Sequence, residues 1–234
     1  ESFRRDDYSN FGSKNTGKIG VKYTVNEDLS FNTNYGTAYN APNIINILNP
    51  WGISNPNLEP EKVKGLDIST TYKDLTLTYF ENKIDNLVNW QSSQYQNIEG
   101  TSTIKGYETK YTKMIIEDLL LNLNYTHLSA KDSQERELAR RAKDQIGYGV
   151  DYYGISKFHF NVNGQYIGDR HDSANKTGAE TGNYTLWNSV VNYEINKTFS
   201  SYLKVDNLFD KYYQTVDGYA TAERSAYIGL KASF

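Results

Sequence analysis

Apolar and polar residues alternate with period two along most of this chain, and a 3.6-residue repeat is nearly absent. In "KFHFNVNGQYIGD" (157–169), Phe158, Phe160, Val162 and Tyr166 share one face, and His159, Asn161, Asn163 and Gln165 share the other. "LSFNTNYGTAY" sets Leu29, Phe31 and Tyr35 against Ser30, Asn32 and Asn34. "DLLLNLNYTHL" sets Leu119, Leu121, Leu123 and Tyr125 against Asn122, Asn124 and Thr126. The pattern predicts eleven strands, over 16–25, 29–39, 62–72, 75–91, 95–112, 119–132, 143–153, 157–169, 184–195, 199–207 and 225–234. The longer ones exceed the common globular strand of about 5–6 residues. They match the length of about 9–11 tilted residues that crosses a bilayer.

The connections sharpen this picture. Short turns at 26–28, 73–74, 113–118, 154–156 and 196–198 alternate with connections at 40–61, 92–94, 133–142, 170–183 and 208–224, all long but one. Alternating tight turns and long loops is the pattern of an up-and-down outer-membrane β-barrel, tight on the periplasmic side and long outside. The short exception, 92–94, reads as the tip of a hairpin rising above the membrane. All four prolines (Pro42, Pro50, Pro56, Pro60) fall in the loop 40–61, where a missing N–H breaks no ladder. With the short turns periplasmic, the last strand ends in the periplasm and residues 1–15 fall outside. Bacterial barrels have an even strand number, so eleven strands read as part of a larger barrel. An open sheet would leave unpaired edges in lipid.

Composition agrees with a membrane barrel where a naive reading would say soluble. The 234-residue chain has a mean hydropathy of −0.71 and no apolar run of spanning-helix length, yet it carries 21 tyrosines. A wet lumen and aromatic girdles produce that combination. The absence of cysteine excludes a disulfide scaffold and a thiolate metal site. A net charge of −3 offers no basic field for nucleic acid. The chain starts at Glu1 without a signal peptide, as a mature form or a fragment would.

No catalytic constellation, resident metal site or cofactor motif stands out. His159 shares the parity of the asparagines and reads as hydrated lining. His127 falls at an interfacial position near the outer end of its strand. His171, in "GDRHD", has neighbours that point to opposite faces. "DSQERELARRAK" (132–143) is the one charge run, and Asp132 and Glu135 have capping-box spacing. It reads as a solvated loop turn, with Arg140, Arg141 and Lys143 able to pair with lipopolysaccharide phosphates. Asp210 and Asp217 lack the carboxylate density of a calcium loop.

Several longer motifs go further. "NYGTAYNAPN" (34–43) with "NPNLEPEK" (55–62), "RRAKDQIGYGVDY" (140–152) and "VDNLFDKYYQTVDGYATAERS" (205–225) resemble the TonB-dependent outer-membrane receptors, and in order and spacing the cobalamin transporter branch. The resemblance implies a plugged barrel of about 22 strands, of which residues 1–234 are the C-terminal portion, without the plug or its TonB-contacting box. It implies energised uptake of a scarce large nutrient in the outer membrane of a Gram-negative bacterium. Cobalamin is the first substrate expected and a ferric siderophore the second, with TonB acting through the plug. External loops over the lumen would hold a large, flat, neutral ligand by aromatic stacking and amide hydrogen bonds. Trp51, Trp90, Tyr95, Gln96, Tyr184 and Tyr219 fall at external positions, and girdle duty accounts for most such aromatics. Trp51, Tyr95, Gln96 and Tyr219 are the expected ligand contacts. Lys18, Lys22, Asp67, Lys105, Glu108, Lys110, Lys204 and Asp206 are expected to line the lumen. The terminal "YIGLKASF" resembles the signal read by the barrel-assembly machinery, through Tyr227, Gly229, Ala232 and Phe234; Ala232 stands where an aromatic is common. Rival classes are a passive porin-like channel, an outer-membrane enzyme and a soluble all-β domain.

Overall fold

The computed structural model describes residues 1–233; Phe234, the last position of the expected terminal signal, lies outside the described residues. The strands are β1 Ser2–Tyr8, β2 Gly12–Thr24, β3 Leu29–Asn40, β4 Glu61–Tyr72, β5 Leu75–Asp85, β6 Val88–Gln91, β7 Gln94–Asn97, β8 Thr101–Ile116, β9 Leu119–Lys131, β10 Asp144–Tyr152, β11 Phe158–Ile167, β12 Tyr184–Glu194, β13 Phe199–Asp206 and β14 Ser225–Ala232. One helical turn, α1 Ile44–Leu48, lies in the proline-bearing loop, and a 3-10 turn spans Ala174–Lys176. Twelve strands form one sheet in the order β1-β2-β3-β4-β5-β8-β9-β10-β11-β12-β13-β14, and β6 and β7 form a hairpin of their own. The order is linear, with β1 and β14 as its edges. This is the expected up-and-down β architecture.

Four details differ from the sequence expectation. Residues 2–8 are a strand: "SFRRDDY" has no apolar alternation, yet it pairs with β2 from Ser2↔Lys18 to Tyr8↔Gly12. The strand count in the sheet is therefore even, and the parity argument for a missing strand lapses. The expected strands 75–91 and 95–112 each break in two. Asn86 and Gly100 take positive φ (60° and 79°) and detach the β6–β7 hairpin. That hairpin is the raised tip expected at 92–94; Ser92 and Ser93 turn it with φ of 51° and 62°. Finally, β8 runs to Ile116, which leaves a turn of two residues, with Asp118 at φ 67°.

The tight turns are written in the sequence. Asn26 Oδ1 accepts the N–H of Asp28 and Leu29, and Asn196 Oδ1 accepts those of Thr198 and Phe199, each at 2.9 Å. An asparagine side chain that bonds the backbone two residues on fixes a turn without help from elsewhere.

By chain contacts the molecule divides into two compact units. The first holds Glu1–Tyr72, Thr78–Tyr107 and Leu128–Leu138; the second holds Lys73–Leu77, Glu108–His127 and the chain from Ala139 onward. Each has one polar and one apolar sheet face. In the first, Ile19, Val21 and Tyr23 of β2, Phe31 and Tyr35 of β3 and Ile68 and Tyr72 of β4 are all exposed. Opposite them lie Lys18, Lys22, Asn32, Asn34 and Asp67. In the second, Tyr148 packs on Trp187 (4.4 Å) and Phe158 on Tyr193 (4.7 Å), while Leu123, Val150 and Val162 stay exposed. One lumen expectation fails. Lys105 shares the parity of Tyr107, whose ring packs on Tyr79 at 5.4 Å, so it lies on the face opposite Glu108 and Lys110.

Little of this is core. The described buried hydrophobic residues are Leu58, Ile84, Ala130, Ala142, Ile167, Tyr184 and Leu186, all near strand ends and long loops. A water-soluble sheet of this size needs a second layer over its apolar face. Here that face is bare, as lipid contact requires.

Candidate functional site

In the first unit, residues 41–60 and the β6–β7 hairpin make one platform. Asn43 and Asn46 cap α1 reciprocally: the Asn46 N–H donates to Asn43 Oδ1 (2.8 Å), and the Asn43 N–H to Asn46 Oδ1 (3.1 Å). Asn49 ends the turn in the left-handed region (φ 43°). The chain then runs along the free edge of β7. The Ile53 N–H (2.7 Å) and Asn49 Nδ2 (3.0 Å) both donate to the Ser93 carbonyl, and Asn55 Nδ2 donates to the Tyr95 carbonyl (2.9 Å). Asn97 completes the series. Its Oδ1 accepts the Glu59 N–H, while its Nδ2 donates to the carbonyls of Glu59 and Asn86, all at 2.8 Å. Contacts at 93, 95 and 97 follow the two-residue repeat of a strand, so the loop satisfies an edge that would otherwise be open. A Cβ at Gly52 would run into the Ser93 carbonyl, and glycine permits this approach.

Three expected ligand contacts belong to this platform, but Tyr95 and Gln96 are adjacent on β7 and point to opposite faces of the hairpin. Trp51 is 72% exposed on the loop, and Tyr95 and Gln96 sit half-buried on β7. Trp90, across from Tyr95 on β6, packs edge-on against it at 5.0 Å. Ile44, Leu48 and Ile53 extend the exposed apolar surface around Trp51. The fourth, Tyr219, lies in the second unit, exposed in the loop 207–224, its N–H bonded to the Val216 carbonyl. The platform asparagines were not singled out from the sequence. Their signal was the density of asparagine among the prolines of 40–57.

The second unit has its own loop cluster. Arg140 grips Asp172 with two bonds (2.7 and 3.1 Å), so it is already committed; Arg141 and Lys143 remain exposed. Arg170 donates to the carbonyls of Thr181 (2.6 Å) and Gln214 (3.2 Å). Tyr213 packs on Tyr184 (4.8 Å) over a small core of Ala142, Ile167, Tyr184 and Leu186. His171 faces Asp169 at 3.1 Å, and Lys176 holds the Asp169 carboxyl below the usual aspartate range by a hydrogen bond. Among the described residues, no group of three or more His, Cys, Asp or Glu could hold a metal. In the first unit the 132–143 charge run begins with a turn, not a helix. Asp132 Oδ1 accepts the N–H of Gln134 (2.9 Å) and of Arg136 (3.0 Å), and Oδ2 takes the Arg136 guanidinium (2.8 Å).

The polar face of the second unit is a ladder of side-chain hydrogen bonds. Thr112 donates to Asn122 (3.0 Å), Asn122 and Asn161 donate to Asp151 (3.4 and 2.8 Å), and Asn188 donates to Asn163 (3.2 Å). His159 belongs to it, stacked on Tyr153 at 4.5 Å. Its Nδ1 accepts from Asn192 (3.2 Å), so Nε2–H donates to Asp151 (2.7 Å). Both ring nitrogens are engaged, which leaves none to take a proton from a nucleophile. At the C-terminal end the Tyr202 ring covers Gly229, and Lys204 lies over Tyr227 at 5.5 Å. Ala232 pairs with Phe199.

Comparison with known proteins places this arrangement. The profile of the family described as "TonB dependent receptor-like, beta-barrel" matches residues 2–208. The vitamin B12 transporter BtuB of Vibrio cholerae is 29% identical over 245 residues, covering 100% of this chain and 39% of that protein. The ferric enterobactin receptor of Pseudomonas aeruginosa superposes with a TM-score of 0.80 at 17% identity, over 99% of this chain and 42% of that one. The siderophore receptor PirA of Acinetobacter baumannii does so with 0.79 at 19% identity, over 99% and 43%. At these identities the structural likeness speaks to the fold alone. The chain spans about two-fifths of the length of these relatives. With the profile match covering most of its strands, the chain belongs to the TonB-dependent receptor-like β-barrel family.

Proposed function

We propose that this chain is the C-terminal barrel portion of a TonB-dependent receptor in the outer membrane of a Gram-negative bacterium, and that its cargo is cobalamin. The reading rests on one observation above the others: the similarity to a vitamin B12 transporter runs the full length of this chain. The family's members are transporters and receptors rather than enzymes. A ferric siderophore is the second reading, favoured by the siderophore receptors among the structural neighbours.

In this reading the external loops capture the ligand, and a plug supplied by the rest of the parent protein passes it inward when TonB delivers energy. The strands supply a rigid wall, with the apolar face toward lipid and the polar ladder toward the lumen. Trp51, Tyr95, Gln96 and Tyr219 contact the ligand. Arg141 and Lys143 face lipopolysaccharide, and Tyr227, Gly229, Ala232 and Phe234 carry the assembly signal.

Growth on limiting cobalamin, with and without the intact gene, tests the reading. Loss of growth on deletion, restored by the gene, supports it; unchanged growth overturns it. Alanine at the four contact residues is expected to weaken cobalamin binding to the intact receptor, and unchanged affinity in all four would remove them from the site. A passive channel would instead conduct ions in planar bilayers.

A further inference from the structure

The platform built by 41–60 and the β6–β7 hairpin combines two features that have separate origins. The first is its charge. In a chain that is 23% charged, residues 41–58 and 86–98 contain no Asp, Glu, Lys or Arg. The charged residues that flank these segments at the platform are carboxylates: Glu59 and Glu61 on one side, Asp85 and Glu99 on the other. The exposed surface of the loop is Ile44, Ile45, Leu48, Trp51 and Ile53, and the hairpin carries Asn89 and Gln96 as a cross-strand amide pair. An anionic ligand would lose its hydration on this surface and find no cation among the residues of 41–58 and 86–98. A ligand with apolar faces and amide or carbonyl groups would lose little.

The second feature is the clasp. Asn97 makes three side-chain hydrogen bonds, all to backbone: it pairs both backbone groups of Glu59 and takes the Asn86 carbonyl where the chain leaves β5. Among the described residues, no other side chain of β6 or β7 bonds the backbone of 41–60; just before the hairpin, Asn86 Nδ2 donates to the Glu59 carboxylate (2.7 Å). The loop is therefore held in place before any ligand arrives, and binding need not supply the entropy of ordering it.

We infer that this platform is a preformed site selecting uncharged, amide-bearing ligands, and that Asn97 is its positioning residue. The inference rests on the proposed uptake function and adds which part of the chain selects the cargo and which residue holds that part in place. An isolated asparagine that only tidied a loop would change loop mobility and nothing else; a positioning residue changes affinity as well.

The test uses the full-length receptor in lipid vesicles and three probes: cyanocobalamin, an uncharged ferric trihydroxamate and a trianionic ferric tricatecholate. Hydrogen exchange across 44–58 is measured in parallel. Asn97→Ala is expected to speed exchange in that segment by about tenfold or more and to weaken the bound uncharged probe by about tenfold, chiefly through slower association. Asn97→Asp, which keeps the acceptor and loses the two donations, should fall the same way. Binding of the trihydroxamate without cyanocobalamin would end the cobalamin reading and support the platform inference. Binding of the tricatecholate alone would overturn the inference. So would unchanged exchange in Asn97→Ala, or faster exchange with affinity within about twofold of the parent, even where cyanocobalamin binds.

Discussion

Asp132 shows how one buried carboxylate can organise a charged loop. Burial by itself would raise its pKa, but the Arg136 guanidinium and the N–H groups of Arg136 and Gln134 outweigh it and hold the pKa below the ordinary 3.8. A carboxyl with a depressed folded pKa stabilises the fold fully above its unfolded value. That stabilisation is lost as pH falls through the lowered folded value. Asp132→Asn is therefore expected to speed hydrogen exchange at Gln134 and Arg136 at neutral pH, by the equivalent of about 1.5–3 kcal/mol. The parent and the variant should converge only as pH drops below 3.8. A constant gap down to the most acidic pH would show that the charge is irrelevant. The aspartate was visible in the sequence as a cap three residues before Glu135. That its partner would be the guanidinium at 136, in a turn with no helix, depended on where β9 ends.

At the scale of elements, the strands that were easiest to read are those whose two faces meet different media. In β11 the alternation of Phe158, Phe160 and Val162 with His159, Asn161 and Asn163 reports both faces directly, and the strand ends within two residues of expectation. β1 escaped notice because Arg4-Arg5-Asp6-Asp7 carries no such contrast; Arg4 and Asp6 pair with each other on one face (2.7 Å). Its conformation comes from β2, a partner that local sequence does not reveal. The turns at Asn26 and Asn196 are the opposite case, since each asparagine bonds only its own neighbourhood. Asn196→Ala removes two hydrogen bonds and should lower stability by about 1–2 kcal/mol, read as a lower urea midpoint for unfolding from lipid vesicles. Asn26→Ala should match it. A midpoint equal to the parent's in both would mean that pairing of the flanking strands closes these turns without help.

For the molecule as a whole, the decisive property is a sheet whose apolar face has nothing over it in either unit. The 234 residues contain no cysteine, so in a receptor whose cysteines elsewhere are replaced by serine, single replacements here can report which side meets water. In the intact receptor embedded in lipid, Val21→Cys and Val162→Cys should resist a charged, water-soluble maleimide. Asn32→Cys and Asn163→Cys should react with it. The reverse order would mean that protein or water covers the apolar face, and the barrel reading would fall. The alternating pattern, the tight turns and the aromatic content were enough to determine an up-and-down membrane sheet, because each is a local response to lipid, to water or to the chain's own backbone. The clasp between Asn97 and Glu59 and the small core under Tyr213 were decided only by tertiary structure. These are contacts between segments far apart in sequence. Asparagine, arginine and tyrosine can satisfy their bonding in many ways, and only the folded arrangement shows which partners they take.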